Sequence, residues 1–209
     1  MREQETPITT PDWPTPDPAA LYGLAGDIVR AIEPHTEADP AALLVQMLTM
    51  YGSVIGRDAY FPVQSDRHHC NIFSCLVGNT AKGRKGTSQA HIMRVFRDVD
   101  EIWAQDCVVH GLSTGEGLIW AVRDAIDETK PVRSKGRYTG ESETTTVDYG
   151  ITDKRLLVIE SEFARLLNVM QRDSNTLSAV IRQAWDSGDL RTMTKASPAR
   201  ATGGRCGNA

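Results

Sequence analysis

Apolar residues recur along this chain in blocks whose spacing switches between helical and extended. Leu21, Leu24, Ile28 and Ile32 stand at helical spacing, which predicts an amphipathic helix. Asp17-Pro18 is its start signal, with Asp at the cap and Pro in the first turn, and Pro34 stops it. Asp39-Pro40 repeats the signal ahead of Leu43, Leu44, Met47, Leu48, Tyr51, Val54 and Ile55, with Gly56 as C-cap. Residues 17–57 therefore read as a two-helix leader, an antiparallel pair with no chemistry of its own. Residues 1–16 are polar and proline-rich, which predicts a disordered arm.

The pattern then turns extended. After a connecting stretch with a short strand expected at 59–63, Ile72, Phe73, Cys75, Leu76 and Val77 make a nearly continuous apolar run. A strand covered on both faces reads this way. A Gly- and Lys-rich turn follows. Thr87 and Ser88 then open a helix to about Gln105, with Ile92, Val95, Phe96, Val99 and Ile102 on one face. Cys107 to Val109 reads as a second strand, and a helix carrying Leu118, Ile119, Val122 and Ile126 follows it. Lys130 to Asp153 is polar and turn-rich, a surface insertion or hairpin. Leu156, Leu157, Val158 and Ile159 form a second buried run, read as a parallel strand ending in Glu160.

A helix is expected over 163–170. Another, capped by Asp173 or Ser174, carries Leu177, Val180, Ile181, Ala184 and Trp185 and ends at Gly188. Leu190 to Thr194 alternates as a short strand, and from Ser197 onward the pattern gives no element and reads as unfolded.

Composition narrows the class without changing this outline. With 209 residues, 40% hydrophobic and 24% charged, the chain suits one globular domain with a sizeable core. A net charge of −4 gives no global pull toward nucleic acid or anionic membrane, so any such binding must be local. No signal peptide and no apolar run of membrane length is evident, so a cytoplasmic protein without a membrane partner is expected. Cys70, Cys75, Cys107 and Cys206 are scattered without a C-x-x-C, which fits a reduced compartment and argues against structural zinc. His68-His69-Cys70 reads as a surface loop, because neighbours on an extended chain point to opposite faces.

The candidate chemistry starts in the turn after the first apolar run. Gly78, Asn79, Thr80, Ala81, Lys82, Gly83, Arg84, Lys85, Gly86, Thr87 and Ser88 offer flexible backbone, positive charge and a helix N-terminus. Such a turn can cradle phosphate. The match to G-x-x-x-x-G-K-[ST] is imperfect: Arg84 is inserted before Lys85, and Gly86 stands where a hydroxyl normally follows. Lys85-Gly86-Thr87 is similar to the adenylate-kinase variant of that pattern. Lys85 is assigned to the β/γ-phosphates and Thr87 to magnesium, with Ser88 as fallback. The alternative is a basic solvated turn. Ser113 to Glu116 fits a capping box. Glu160 and Glu162 follow a parallel strand, where ligands bind in open sheets. They also fit as acids at a helix N-terminus.

The order of parts carries a resemblance. It comprises the lysine loop, Gly111-Leu112-Ser113-Thr114-Gly115-Glu116-Gly117-Leu118, the strand ending in Glu160, Asn175-Thr176-Leu177-Ser178, Ala184-Trp185-Asp186, and Ser197-Pro198-Ala199-Arg200-Ala201-Thr202-Gly203. This set resembles a RecA-like P-loop ATPase family of unknown function from phages, plasmids and integrated elements. The family is described as helicase-like and is often fused or adjacent to primase-polymerase domains. The resemblance spans about residues 17–203 and makes 58–203 the ATPase core, with 204–209 an unstructured tail.

It implies an α/β P-loop NTPase of RecA-like topology, a mostly parallel sheet flanked by helices. It implies ATP and Mg2+ as cofactors, Lys85 and Glu116 as catalytic residues, and Thr87 and Glu160 as magnesium-holding residues. Glu116 would be the base that orients the attacking water. DNA is a candidate partner, and a homo-oligomer is expected of the full-length parent. The family continues past Ser197–Gly203 into a further sensor strand, so a C-terminally truncated core with an unpaired sheet edge is expected. The parent activity would be ATP hydrolysis coupled to work on DNA in replication of a mobile element. A nucleotide or small-molecule kinase and a non-catalytic nucleotide-binding or assembly module remain as alternatives. No aromatic-rich basic patch of the single-strand-binding kind stands out in the sequence.

Overall fold

In the computed structural model of the chain, residues 15–78, 84–192 and 200–203 are described. Two helices form in the leader, α1 (Gly23–Ile32) and α2 (Pro40–Ile55). The second start signal works as read: the Asp39 carboxylate accepts from Ala41 N at 2.7 Å, and Gly56 ends the helix at φ 65°. The first does not. The Asp17 carboxylate accepts from Ala19 N at 2.8 Å and closes only one 3-10 turn, Pro18–Ala20, after which α1 starts afresh.

The long helix expected after the lysine turn is two helices, α3 (Lys85–Val99) and α4 (Glu101–Asp106). Asp100 divides them, its carboxylate accepting from Trp103 N at 2.8 Å. A side chain that can bond the backbone in this way favours a new cap over continuing helix. Val29, Leu43, Met47, Met50, Ile92, Phe96 and Trp103 bury one core shared by α1 to α4. The leader thus packs directly on the helix that follows the lysine turn.

Strands β1 (Tyr60–Val63) and β2 (Asp66–His69) make an antiparallel hairpin. His68 and His69 are therefore on a strand, where a loop was expected, and no metal-holding group occurs among the described residues. Next come β3 (Val108–His110), α5 (Gly115–Ala121), β4 (Ile126–Ser134), β5 (Arg137–Asp148), β6 (Leu157–Ile159), α6 (Phe163–Met170), α7 (Leu177–Asp186), β7 (Leu190–Arg191) and β8 (Arg200–Ala201). The polar insertion is a hairpin, and Ile126 opens it rather than extending α5. The start of α7 is not capped by Asp173 or Ser174; the Asn175 side chain accepts from Leu177 N at 2.8 Å.

The arrangement is mixed α/β, with seven α-helices and four two-stranded sheets among the described residues. The one parallel pairing among them is β3 with β6, in the register Val108↔Leu157 to His110↔Ile159. Side chains alternate across a strand. Leu157 and Ile159 accordingly face the first core, while Leu156 and Val158 face a second, built from Leu118, Ile119, Val169, Leu177, Val180 and Leu190. The apolar run at 156–159 is thus covered on both sides.

Two expectations are corrected here. Residues 72–77 form no strand and do not join β3 and β6, so the expected mostly parallel sheet is not seen among the described residues. The described residues leave their faces largely open: Phe73 is 52% and Val77 79% exposed. The segment is pinned at its edges instead. Asn71 Nδ2 donates to Trp185 O at 3.2 Å, Phe73 meets Trp185 edge-on at 5.1 Å, and Ser74 bonds Thr49. The stretch read as unfolded from Ser197 is also corrected where it is described. β8 pairs with β7, Ala201 is buried, and Thr202 Oγ1 donates to Asp124 at 2.6 Å. Most of the expected arm, and the 204–209 tail, lie outside the described residues. No helix among those described is long and apolar enough to cross a membrane.

Candidate functional site

The parallel pairing brings the carboxyl ends of β3 and β6 side by side, with His110 Nδ1 3.0 Å from Ile159 O. One residue further, Glu160 reaches the loop leaving β3. One carboxylate oxygen accepts from Leu112 N, and the other lies 3.1 Å from Arg165 Nη1 on α6. The glutamate side chain is 11% exposed and the arginine 49%, so the carboxylate is sunk beneath its partner. Glu162 stands at the N-cap of α6 and makes no side-chain capping bond there.

The loop at 111–114 is tied down at each residue after its glycine. Asn175 Nδ2 donates to Ser113 O at 3.0 Å and to Val169 O at 2.9 Å. One amide side chain therefore joins this loop to the end of α6 and the start of α7. Thr114, not Ser113, caps α5, its hydroxyl accepting from Gly117 N at 3.0 Å. That shift of one residue puts Glu116 second in the helix, where it cannot complete the expected capping box. Glu116 Oε1 instead accepts from Thr176 Oγ1 at 3.0 Å. Gly115 permits the approach, since a Cβ there would meet Thr176 Oγ1 at 2.5 Å and Val180 Cγ2 at 2.7 Å. Glu116 and Glu160 thus sit on one hydrogen-bonded frame.

The lysine turn is built differently. Lys85 is the first residue of α3, and its Nζ donates back to Gly78 O at 3.1 Å, bridging the turn. Asn79, Thr80, Ala81, Lys82 and Gly83 lie outside the described residues. Arg84, inserted where the motif has glycine, adopts a left-handed conformation with φ 41° and ψ 27°. Glycine takes that conformation without strain. The Arg84 guanidinium swings to Glu37 of the leader at 2.6 Å, an exposed pair that contributes little to stability. Gly86 and Thr87 are exposed. Ser88 is fully buried, accepting from Gln46 Nε2 at 2.6 Å and donating to Lys85 O at 2.9 Å. Its hydroxyl is committed to α2 and to Lys85 O, which leaves Thr87 as the open hydroxyl among the described residues of this turn. No hydrogen bond or ion pair among the described residues joins Lys85 or Thr87 to Glu116 or Glu160.

Beside the carboxylate frame, Ser113, Glu162, Arg165, Asn168, Val169 and Arg172 line an open cleft of about 400 Å³. Arg165 carries no sequence signal, standing five residues from Glu160 on a different element. Asn175 and Thr176 belong to a segment of the resemblance, yet only the fold shows that they bind the loop and Glu116. Behind β3, Arg155 bridges Asp100 at 2.7 Å and Asp153 at 2.6 Å and donates to Val54 O at 3.0 Å. Cys107 beside it is buried, and burial, with Asp153 adding, pushes its thiol up to about 12. That burial disfavours the thiolate that nucleophilic chemistry needs.

Comparison of the chain with protein-family models, with curated proteins and with solved structures finds no match.

Proposed function

We propose that this chain is an ATP-binding and ATP-hydrolysing domain of RecA-like type, from a helicase-like replication protein of a mobile element. One observation carries the reading: two carboxylates, Glu160 and Glu116, are mounted on a shared frame at the carboxyl ends of a parallel strand pair. Ligands of open α/β sheets bind in that crevice. The residues also fit the nucleotide. The Lys85 amine rests on a carbonyl and has no carboxylate partner among the described residues, so a phosphate is the complement it lacks. Thr87 offers its hydroxyl one residue beyond Gly86.

In this reading Lys85 balances phosphate charge, Thr87 and Glu160 hold magnesium, and Glu116 orients water, with Thr176 fixing its carboxylate. Magnesium-ATP supplies the scissile phosphoanhydride. DNA and further copies of the chain are the expected partners. A second reading draws on the engagement of both Glu160 oxygens by Leu112 and Arg165. A module that binds nucleotide without turning it over suits that arrangement.

Calorimetry with magnesium-ATP, on the native chain and on Lys85→Ala, tests the first reading. Binding is expected in the native chain and not in the variant. Glu116→Gln should retain binding and lose phosphate release by roughly 100-fold or more. Binding with no turnover in either the native chain or Glu116→Gln selects the non-hydrolysing module. Two folded proteins that both fail to bind overturn the phosphate reading.

A further inference from the structure

The hairpin β4–β5 is the part of the molecule that this function does not use. With nine residues in β4, it reaches roughly 30 Å. Almost every residue along it is exposed, and neither face carries an apolar stripe. A two-stranded ribbon without a packed face is marginal by itself, yet this one is clamped at its root. The Arg123 guanidinium holds both Asp148 oxygens at 2.8 and 3.1 Å while stacking on Trp120 at 4.0 Å. Next to it, Lys154 pairs with Asp124 at 3.0 Å. The root is built to hold the tip out.

Charge is sorted along the ribbon. Asp127, Glu128, Glu143 and Asp148 lie toward the root with Lys130, and Glu141 lies midway, whereas from Arg133 to Gly140 there are three cations and no acid. Lys130 is spoken for by Glu128 at 2.8 Å. Arg133, Lys135 and Arg137 are exposed and make no ion pair among the described residues. Lys135 and Gly136 form the two-residue turn, both at positive φ. Tyr138 is 59% exposed and lies directly across from Arg133, so a ring and a guanidinium share one face at the tip.

We infer that the hairpin tip is a contact for single-stranded nucleic acid. Arg133 beside Tyr138, Lys135 in the turn and Arg137 on the opposite face meet phosphates of a strand that wraps the tip, and Tyr138 offers its face to an unpaired base. An acidic protein would complement the cations but give the ring no base to stack on. A lipid surface would need apolar side chains to insert, and the tip has none beyond Tyr138 and a half-buried Val132. The inference deepens the DNA-directed reading above by naming the contact surface, and it does not depend on the phosphate loop.

The test is fluorescence anisotropy of a labelled poly-thymidine oligonucleotide, without nucleotide, at about 50 and about 200 mM salt. Loss of ATP binding therefore cannot silence the readout. The native chain should bind with a log–log salt slope near −2, as expected for about three phosphates. R133A/K135A/R137A should weaken binding at least tenfold at low salt and flatten the slope. Y138A should weaken it by roughly tenfold with the slope kept. All these residues are exposed, so thermal melts should be unchanged. The inference is overturned by a native-like affinity and slope in the triple variant, or by no binding of the native chain at low salt. It is equally overturned if poly-glutamate competes as well as the oligonucleotide, or if a duplex binds equally with Tyr138 silent.

Discussion

Two apolar runs in this chain look alike as strings and fare differently as structure. In the run Leu156 to Ile159 the last three residues become a strand, and neighbouring side chains of the run enter two cores. Ile72 to Val77 stays outside every sheet among the described residues, with Phe73 and Val77 more than half exposed. The difference lies in the surroundings. The first run pairs with β3 and has helices packed on both its faces; the second touches α2 through Ser74 and Thr49 and meets Trp185 at one edge. An apolar run states a demand for cover, and whether the fold meets it depends on residues far away in sequence.

The comparison is broken most directly by trimming each run. Leu157→Ala, at a position 7% exposed, should cost about 2–5 kcal/mol of unfolding free energy in urea titrations. Val77→Ala, at 79% exposure, should stay within about 0.5 kcal/mol. Similar costs at both sites would show that the second run is buried in solution. A smaller effect is expected where α5 meets α7. Gly115→Ala places a methyl against Thr176 and Val180, and overpacking of this kind costs about 1–3 kcal/mol. It should also release Glu116 from Thr176, so any phosphate release should fall further than the thermal midpoint alone explains.

The mildest test concerns the ion cluster behind β3. The bond from Trp103 N, then that from Arg155, holds the Asp100 carboxyl below its ordinary value. A group depressed in the folded state stabilises fully above its unfolded value, near pH 4, and loses that contribution as pH falls through the folded one. Asp100→Asn should therefore flatten the acid limb of the stability curve and lower stability at neutral pH. An unchanged acid limb would remove Asp100 from the acid response.

Much of this was legible in the sequence, because local rules decide it. Asp39-Pro40 with Gly56 bounds α2, the helix over 163–170 stands where its spacing puts it, and the polar insertion is a hairpin. Where two local rules competed, the reading slipped. Asp17 capped a turn in place of the helix, Asp100 cut one helix into two, and Thr114 took the cap from Ser113. The site was legible only as residue types in order. Glu116 and Glu160 carry their own signals, but the frame that joins them runs through Asn175, Thr176 and Arg165. No spacing rule links residues that tertiary packing alone makes neighbours. The tip of β4–β5 was missed for a related reason. Its cations stand close together in the string, but only hairpin pairing sets Arg133 across from Tyr138.

The strand at 157–159 has a consequence for how the molecule comes apart. Because alternate residues of a single short strand serve both cores, neither core can lose its order without uncovering a face of that strand to water. The two halves are thereby coupled into one cooperative unit, and heat or denaturant should take them down in a single transition. Half of the chain lying between β3 and β6 is the β4–β5 ribbon, which closes on itself, so the parallel pair forms at a reduced cost in chain entropy.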